Sequence, residues 1–277
     1  MTNIKILINP AAGNGQGLRL LRTKLPFPIA ATCPNNIDQQ LIDFIKPGDT
    51  LIIGGGDGTF HLVFNGLYRT QLYQQIQIAL LPMGTGNDLA RALAYPKLSL
   101  ATLIQRLQGA TQCVSLPLWK YGDIVFSNYL SFGMDADILN DVSQWRCGAF
   151  KRRWFTKLLY ILAGLKHIIH PKKIIVQLQH ERQALLCLIL ANLNIYGGGC
   201  HVRTMSNSTT LALLAIETRW QFIRLMLTRF TRQPYYAKNI LSPIELDTGN
   251  VLAEADGEIL ANHAVHITYA GALTIVK

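Results

Sequence analysis

Apolar positions change rhythm once along this chain. In the first third, short β-branched runs at residues 4–8, 51–53 and 76–81 alternate with stretches of helical spacing. Leu18, Leu21 and Leu25 fall on one helical face, and residues 60–67, 87–93 and 100–107 also read as helices. Short, wholly apolar strands alternating with helices predict a parallel sheet covered on both faces, an α/β N-terminal domain. Near Val114 the helices thin out. Residues 125–130, 173–178, 184–193, 211–216, 240–246, 251–255 and 265–269 read as strands, with helices only over 154–169 and 220–230. Many strands with few crossovers predict a mainly antiparallel β-sandwich C-terminal domain. The expected boundaries are 1–113 for the α/β domain and 114–269 for the β-rich one. The run 273–276 is too short to place by itself, so residues from about 270 to 277 are a candidate for completing the first domain.

Composition narrows the class. Of 277 residues, 49% are apolar and 15% charged, which excludes a disordered tail protein and a charged coiled coil. No apolar stretch reaches the length of a membrane-spanning helix. The first residues run straight into a strand, so no signal peptide is expected. Cys33, Cys113, Cys147, Cys187 and Cys200 are odd in number and lack metal-ligand or redox spacing, as expected of reduced cytosolic thiols. A net charge of +10 attracts nucleic acid, anionic lipid or nucleotide phosphates without choosing among them.

Three segments share one design: a buried strand, glycines, then a helix. They are Asn9-Pro-Ala-Ala-Gly13-Asn-Gly15-Gln-Gly17, Gly54-Gly55-Gly56-Asp57-Gly58-Thr59 and Pro82-Met83-Gly84-Thr85-Gly86-Asn87-Asp88. Such turns at the carboxyl edge of a parallel sheet are where α/β proteins hold ligands. Glycine lets backbone N–H groups approach a phosphate, and the following helix N-terminus adds partial positive charge. Thr59 and Thr85 can donate hydroxyl hydrogen bonds. Asp57 would repel an anion unless a divalent cation stands between them. Gly13-x-Gly15-x-Gly17 is not the dinucleotide spacing, and no P-loop is present.

Gly55-Gly56-Asp57-Gly58-Thr59 resembles the nucleotide loop shared by diacylglycerol kinases, sphingosine and ceramide kinases, NAD kinases and phosphofructokinases. The segment from Pro82 through Asp88 to Leu89-Ala90-Arg91 is narrower. It is similar to the Pro-Leu-Gly-Thr-Gly-Asn-Asp-Leu-Ala-Arg run of diacylglycerol kinases and their bacterial lipid-kinase relatives. Asn128-Tyr-Leu-Ser-Phe-Gly133-Met-Asp135-Ala136, Tyr196-Gly197-Gly198-Gly199 and Ala255-Asp256-Gly257-Glu258 follow in family order. The resemblance implies an NAD kinase/diacylglycerol kinase-like fold and an ATP- and Mg²⁺-dependent lipid kinase with its nucleotide in the cleft between domains. ATP contacts are then expected at Asn9, Thr32, Gly55, Gly56, Asp57, Gly58, Thr59, Gly84, Thr85, Gly86 and Asn87. Glu258 is expected as general base beside Asp57, with Asp57 and Asp88 at Mg²⁺ or its water shell. Two of these residues carry competing readings: Asp88 as a helix N-cap, and the Asp256-Gly257 step before Glu258 as an ordinary hairpin turn.

Two departures bear on activity. Phe60-His61-Leu62 stands where the resemblance implies a hydrophobic residue followed by Asn-Glu. Thr209-Thr210 stands where bacterial relatives carry an Asp-Gly that helps hold a second, structural metal. A catalytically silent lipid- or nucleotide-binding protein on the same fold is therefore the alternative. An NAD kinase relative is disfavoured by the Pro-x-Gly-Thr-Gly-Asn-Asp segment. Basic aromatic stretches at 151–166 and 219–232 suit either a core helix with a solvated basic face or a helix lying on an anionic bilayer. No nucleic-acid fold accompanies the charge. A cytoplasmic protein peripherally associated with membrane is expected, with its oligomeric state open.

Overall fold

A computed structural model describes residues 3–84, 86–109, 111–146, 153–204, 209–260 and 264–277, with the backbone alone at 146 and 153–157. The chain forms two units, Met1–Trp119 with Ala270–Lys277, and Lys120–Tyr269.

The first unit holds β1 (Ile4–Ile8), α1 (Gln16–Leu21), β2 (Ile29–Ala31), α2 (Ile37–Phe44), β3 (Thr50–Gly55), α3 (Asp57–Arg69), β4 (Gln77–Pro82), α4 (Asp88–Ala92), α5 (Leu100–Leu107) and most of β5 (Cys113–Tyr121). Its sheet runs β2-β1-β3-β4, parallel throughout. Every residue of β3 is buried, which is why its sequence shows a solid apolar run rather than alternation. Leu100, Leu103, Ile104 and Leu107 bury the inner stripe of α5, and Ser99 caps that helix by accepting from Thr102 N.

The second unit contributes β6 (Ile124–Phe126), β7 (Tyr129–Gly133), α6 (Met134–Arg146), α7 (Arg153–Ile169), β8 (Ile174–Leu178), β9 (Glu181–Leu185), β10 (Cys187–Ala191), β11 (Ile195–Tyr196), β12 (Cys200–Arg203) and β13 (Thr210–Ile216). It continues with α8 (Arg219–Thr231), β14 (Tyr235–Tyr236), β15 (Lys238–Leu241), β16 (Ile244–Asp247), β17 (Ala253–Ala255), β18 (Glu258–Leu260) and the start of β19 (His266–Val276). Strands β15-β13-β10-β7-β17-β18 form an antiparallel sheet. Strand β16 pairs antiparallel with both β8 and the start of β19, and β8 pairs antiparallel with β9. One core gathers Ile138 and Val142 of α6, Leu159 and Ala163 of α7, and Phe222 and Leu225 of α8 against Ile189 and Leu214. Outside that core, Leu158, Ile161, Leu162, Leu165 and Ile169 leave α7 with an exposed apolar stripe.

The end of β19 lies in the first unit, pairing parallel with β4 at Thr274↔Gln77 and Ile275↔Ile78. Three expected strands are each split. Residues 127–128 turn their N–H groups to the Asp256 carboxylate, which separates β6 from β7. Pro243, which has no N–H to give a ladder, lies between β15 and β16. The 184–193 run breaks at Leu186, between β9 and β10. Two helices absent from the pattern are α2 and α6. In α6 the buried Met134, Ile138 and Val142 mark one face, but the helix starts directly after Gly133 of β7.

Candidate functional site

The three glycine segments converge at one rim of the parallel sheet, beyond the carboxyl ends of β1, β3 and β4. Asn9 N donates to Gly54 O (2.8 Å), and Asn9 Nδ2 donates to Thr59 Oγ1 (2.9 Å), tying the first bend to the second. Gly13, Asn14 and Gly15 take left-handed φ values of 65°, 53° and 88°, folding the chain back toward α1. Thr32 joins the same rim, its N–H donating to Ile8 O (2.9 Å) and its side chain nearly buried.

The second and third bends touch through glycine. A Cβ on Gly84 would stand 2.6 Å from Gly56 Cα and 2.8 Å from Asn87 Oδ1. Asn87 Oδ1 accepts from Gly84 N (2.9 Å) and Asn87 Nδ2 donates to Gly84 O (3.0 Å), closing the third bend on itself. Asp57 reaches across, Oδ1 accepting from Leu89 N in the first turn of α4 (3.3 Å). The Gly84→Ala variant is expected to separate these bends. Because the obstacle is backbone, the expected cost is about 1–3 kcal/mol of stability with at least a roughly tenfold loss of ATP affinity, read by calorimetry.

Among the expected nucleotide contacts, Asn9, Thr32, Gly55, Gly56, Asp57, Gly58, Thr59, Gly84, Gly86 and Asn87 thus belong to this rim or the segments building it; Thr85 lies outside the described residues. Asp88 is not the N-cap. Asn87, at φ 52°, holds that position, because its side chain closes the bend while Asp88 is already helical. Asp88 is buried, its Oδ1 paired with Arg91 Nη1 at 2.9 Å. Arg91 Nη2 also donates to Gly86 O (2.6 Å), so this arginine clips the bend to α4.

Among the described residues no three His, Cys, Asp or Glu side chains gather as a metal cage. Asp57 and Asp88 are the two carboxylates at this rim, Asp57 bonded to Leu89 N and Asp88 paired with Arg91, and a hard cation there would need most of its ligands from phosphate and water. The Thr209–Thr210 position itself offers a second hard cation no carboxylate, only hydroxyl and carbonyl oxygens. Thr210 Oγ1 is buried without a hydrogen-bond partner among the described residues, and Thr209 O accepts from Ser242 N.

Glu258 opens β18, exposed, directly after Asp256 and Gly257 at φ 53° and 90°. Ala255 pairs with Glu258 across these two residues, a two-residue hairpin of the kind that requires left-handed backbone at both positions. The Asp256 carboxylate is nearly buried. Its Oδ2 accepts from Ser127 N (2.8 Å) and Ser127 Oγ (3.1 Å), and its Oδ1 from Asn128 N (2.8 Å) and Tyr129 N (3.0 Å). The turn that presents Glu258 is therefore pinned to the backbone between β6 and β7. The sequence marked Asp256 as part of a turn and of the Ala255-Asp256-Gly257-Glu258 segment, but not as this anchor.

A second polar knot lies beneath. Asp135 Oδ2 accepts from Ser131 Oγ (3.0 Å) and from Tyr196 OH. Burial, followed by the nearby Asp135 carboxylate, holds the Glu254 carboxyl well above its ordinary range. Burial likewise pushes the Cys187 thiol and the Tyr196 phenol well up. Asp135 was visible in the Gly133-x-Asp135-Ala136 segment; Glu254 carried no sequence signal.

The sign of the Glu254 effect on stability follows from its raised folded pKa. Above the ordinary value of 4.5 the unfolded chain has lost a proton that the folded chain retains. This group's contribution is full below that value and is lost as pH rises toward the folded pKa. Glu254→Gln removes this titration. Its urea-unfolding free energy is expected to decline less with rising pH than the parent's.

A parallel sheet flanked by helices, with its glycine bends meeting at one rim, makes the first unit an α/β domain. The model for the diacylglycerol kinase catalytic domain matches residues 3–116, and that for the diacylglycerol kinase accessory domain matches 125–219. Together they span about three quarters of the chain, which belongs to the diacylglycerol kinase family. The chain is 29% identical over 198 residues to the eye-specific diacylglycerol kinase of Drosophila melanogaster, covering 59% of this chain and 14% of that protein. It is 26% identical over 217 residues to probable diacylglycerol kinase 3 of Caenorhabditis elegans, covering 66% of this chain and 26% of that one. The chain thus spans 14% and 26% of the length of these two relatives. A diacylglycerol kinase structure from Bacillus anthracis superimposes with a TM-score of 0.71 over 99% of this chain and 96% of that chain, at 18% identity, a likeness of fold.

Proposed function

We propose that the chain is an ATP- and Mg²⁺-dependent lipid kinase that phosphorylates the free hydroxyl of a diacylglycerol-like lipid presented at an anionic membrane surface. The observation that carries this reading is the meeting of Gly56, Gly84 and the Asn9–Thr59 pair at one sheet rim. Backbone N–H groups there are suited to cradle the phosphates. Asp57, and Asp88 to the extent that Arg91 releases it, would hold Mg²⁺, which neutralises phosphate charge when bound. Glu258 accepts the proton of the lipid hydroxyl as its oxygen bonds the γ-phosphorus and ADP departs.

The test is transfer of labelled γ-phosphate from ATP to a panel of lipids. Diacylglycerol is expected to be labelled; no labelling of any lipid would remove the reading. The silent alternative has two motives, the His61–Leu62 and Thr209–Thr210 departures. Calorimetry with ATP and Mg²⁺ separates the two, since binding without transfer supports the silent protein. His61 lies 3.3 Å from Asn65 on its own helix. No helix among the described residues is long and apolar enough to cross a membrane, so a lipid acceptor would be met at a surface.

A further inference from the structure

Helix α8 is apolar on both sides. Its inner side buries Phe222 and Leu225 in the second unit's core. Its outer side presents Trp220 at 70% exposure and Phe230 at 79%, with Leu227 half-exposed between them. Packing accounts for the inner side alone. The outer residues follow a helical spacing of seven and three, which aligns them along one face. A capping box between Thr218 and Gln221 fixes where that face begins.

Cations collar the aromatic residues. Arg219 lies 5.9 Å from the Trp220 ring, Arg224 lies 6.0 Å from that of Tyr235, and Arg203 lies 5.4 Å from the exposed Tyr236. Residues 217–236 contain four arginines and one acid, Glu217. Exposed rings with arginine stems alongside suit the headgroup zone of a bilayer, where rings enter the acyl boundary and guanidinium groups reach phosphate.

We propose that the outer face of α8, built on Trp220, Leu227 and Phe230 and flanked by Arg219 and Arg224, docks on an anionic phospholipid surface. The charge chooses this occupant over a second copy of the chain. A twofold pairing of this face would set its arginines against their own equivalents, with one acid per segment to offset them. The same charge is complementary to an anionic leaflet. The proposal deepens the lipid-kinase reading by naming the surface that would meet the membrane, and it rests on that reading for its purpose.

The test needs neither ATP nor a kinase substrate, so its failure and that of the kinase reading are distinguishable. The full chain is sedimented with vesicles of phosphatidylcholine alone, or with about 30% phosphatidylglycerol. The parent should bind the anionic vesicles at least about tenfold more tightly than the neutral ones. Replacing Trp220, Leu227 and Phe230 by serine, or Arg219 and Arg224 by glutamine, should each weaken anionic binding at least about tenfold. Unchanged thermal midpoints of the variants verify the fold. In a Trp145→Phe, Trp154→Phe background, brominated lipid should quench the Trp220 share of the fluorescence and leave that of the fully buried Trp119. Parent chain that ignores anionic vesicles, a serine triple that binds them fully, or an unquenched Trp220 would overturn the proposal. So would a parent dimer that the serine triple converts to monomer, or tighter binding to a single-stranded oligonucleotide than to the vesicles.

Discussion

Glu258→Gln is expected to lower phosphoryl transfer by about 10²–10⁴-fold while ATP binding holds. Glutamine keeps the size and the polar contacts of the side chain, but its amide cannot take a proton from an alcohol. Glu258 is exposed at the start of β18 rather than buried in the core, so the substitution should not disturb folding. The expected signature is a fall in kcat with an ATP dissociation constant unchanged by calorimetry. Transfer at the parent rate would remove Glu258 from the mechanism. A matching loss of ATP affinity would make it a binding residue instead.

Asp256→Ala should be strongly destabilising to the second unit. It would strip the four hydrogen bonds from Ser127, Asn128 and Tyr129, leaving three buried backbone N–H groups unpaired. It also places alanine at φ 53°, where aspartate is tolerated better. The expected cost is about 3–4 kcal/mol, measured by urea unfolding. Asp256→Asn retains acceptor oxygen on one side only and should fall between alanine and the parent. An alanine variant within experimental error of the parent would show that water takes over the anchoring.

Strands β1, β3 and β4 of the parallel sheet were legible because they are largely buried and therefore apolar, whereas the short, part-exposed β2 was not. The antiparallel part was legible in outline, yet three of its strands were read too long. The apolar run through Val125 continues past residues whose N–H groups leave the ladder for Asp256, a partner more than 125 positions away that local periodicity does not register. Helix α6 was missed for a related reason: it follows β7 without a break, and its buried Met134, Ile138 and Val142 alone mark its face. At the site, glycine spacing announced the bends but not their mutual contact. That Gly56 and Gly84 nearly touch, and that Asn87 rather than Asp88 caps α4, depends on how β3 and β4 lie side by side. Glu254 was silent because a single acid in a short strand looks solvated until its neighbours are known.

The pairing of Thr274 and Ile275 with β4 sets an order on biosynthesis. Tyr95 OH donates to Val276 O (2.9 Å), and Gln112 and Lys277 exchange backbone bonds, so the first unit gathers several partners from 270–277. On the ribosome the entire second unit must be translated before the open flank of β4 can close. The amino-terminal sheet therefore waits, with one strand edge unpaired, for about ten to thirty seconds at ordinary elongation rates. Through that interval it is a natural client for a chaperone, and a clipped tail would leave the same edge bare in the finished molecule.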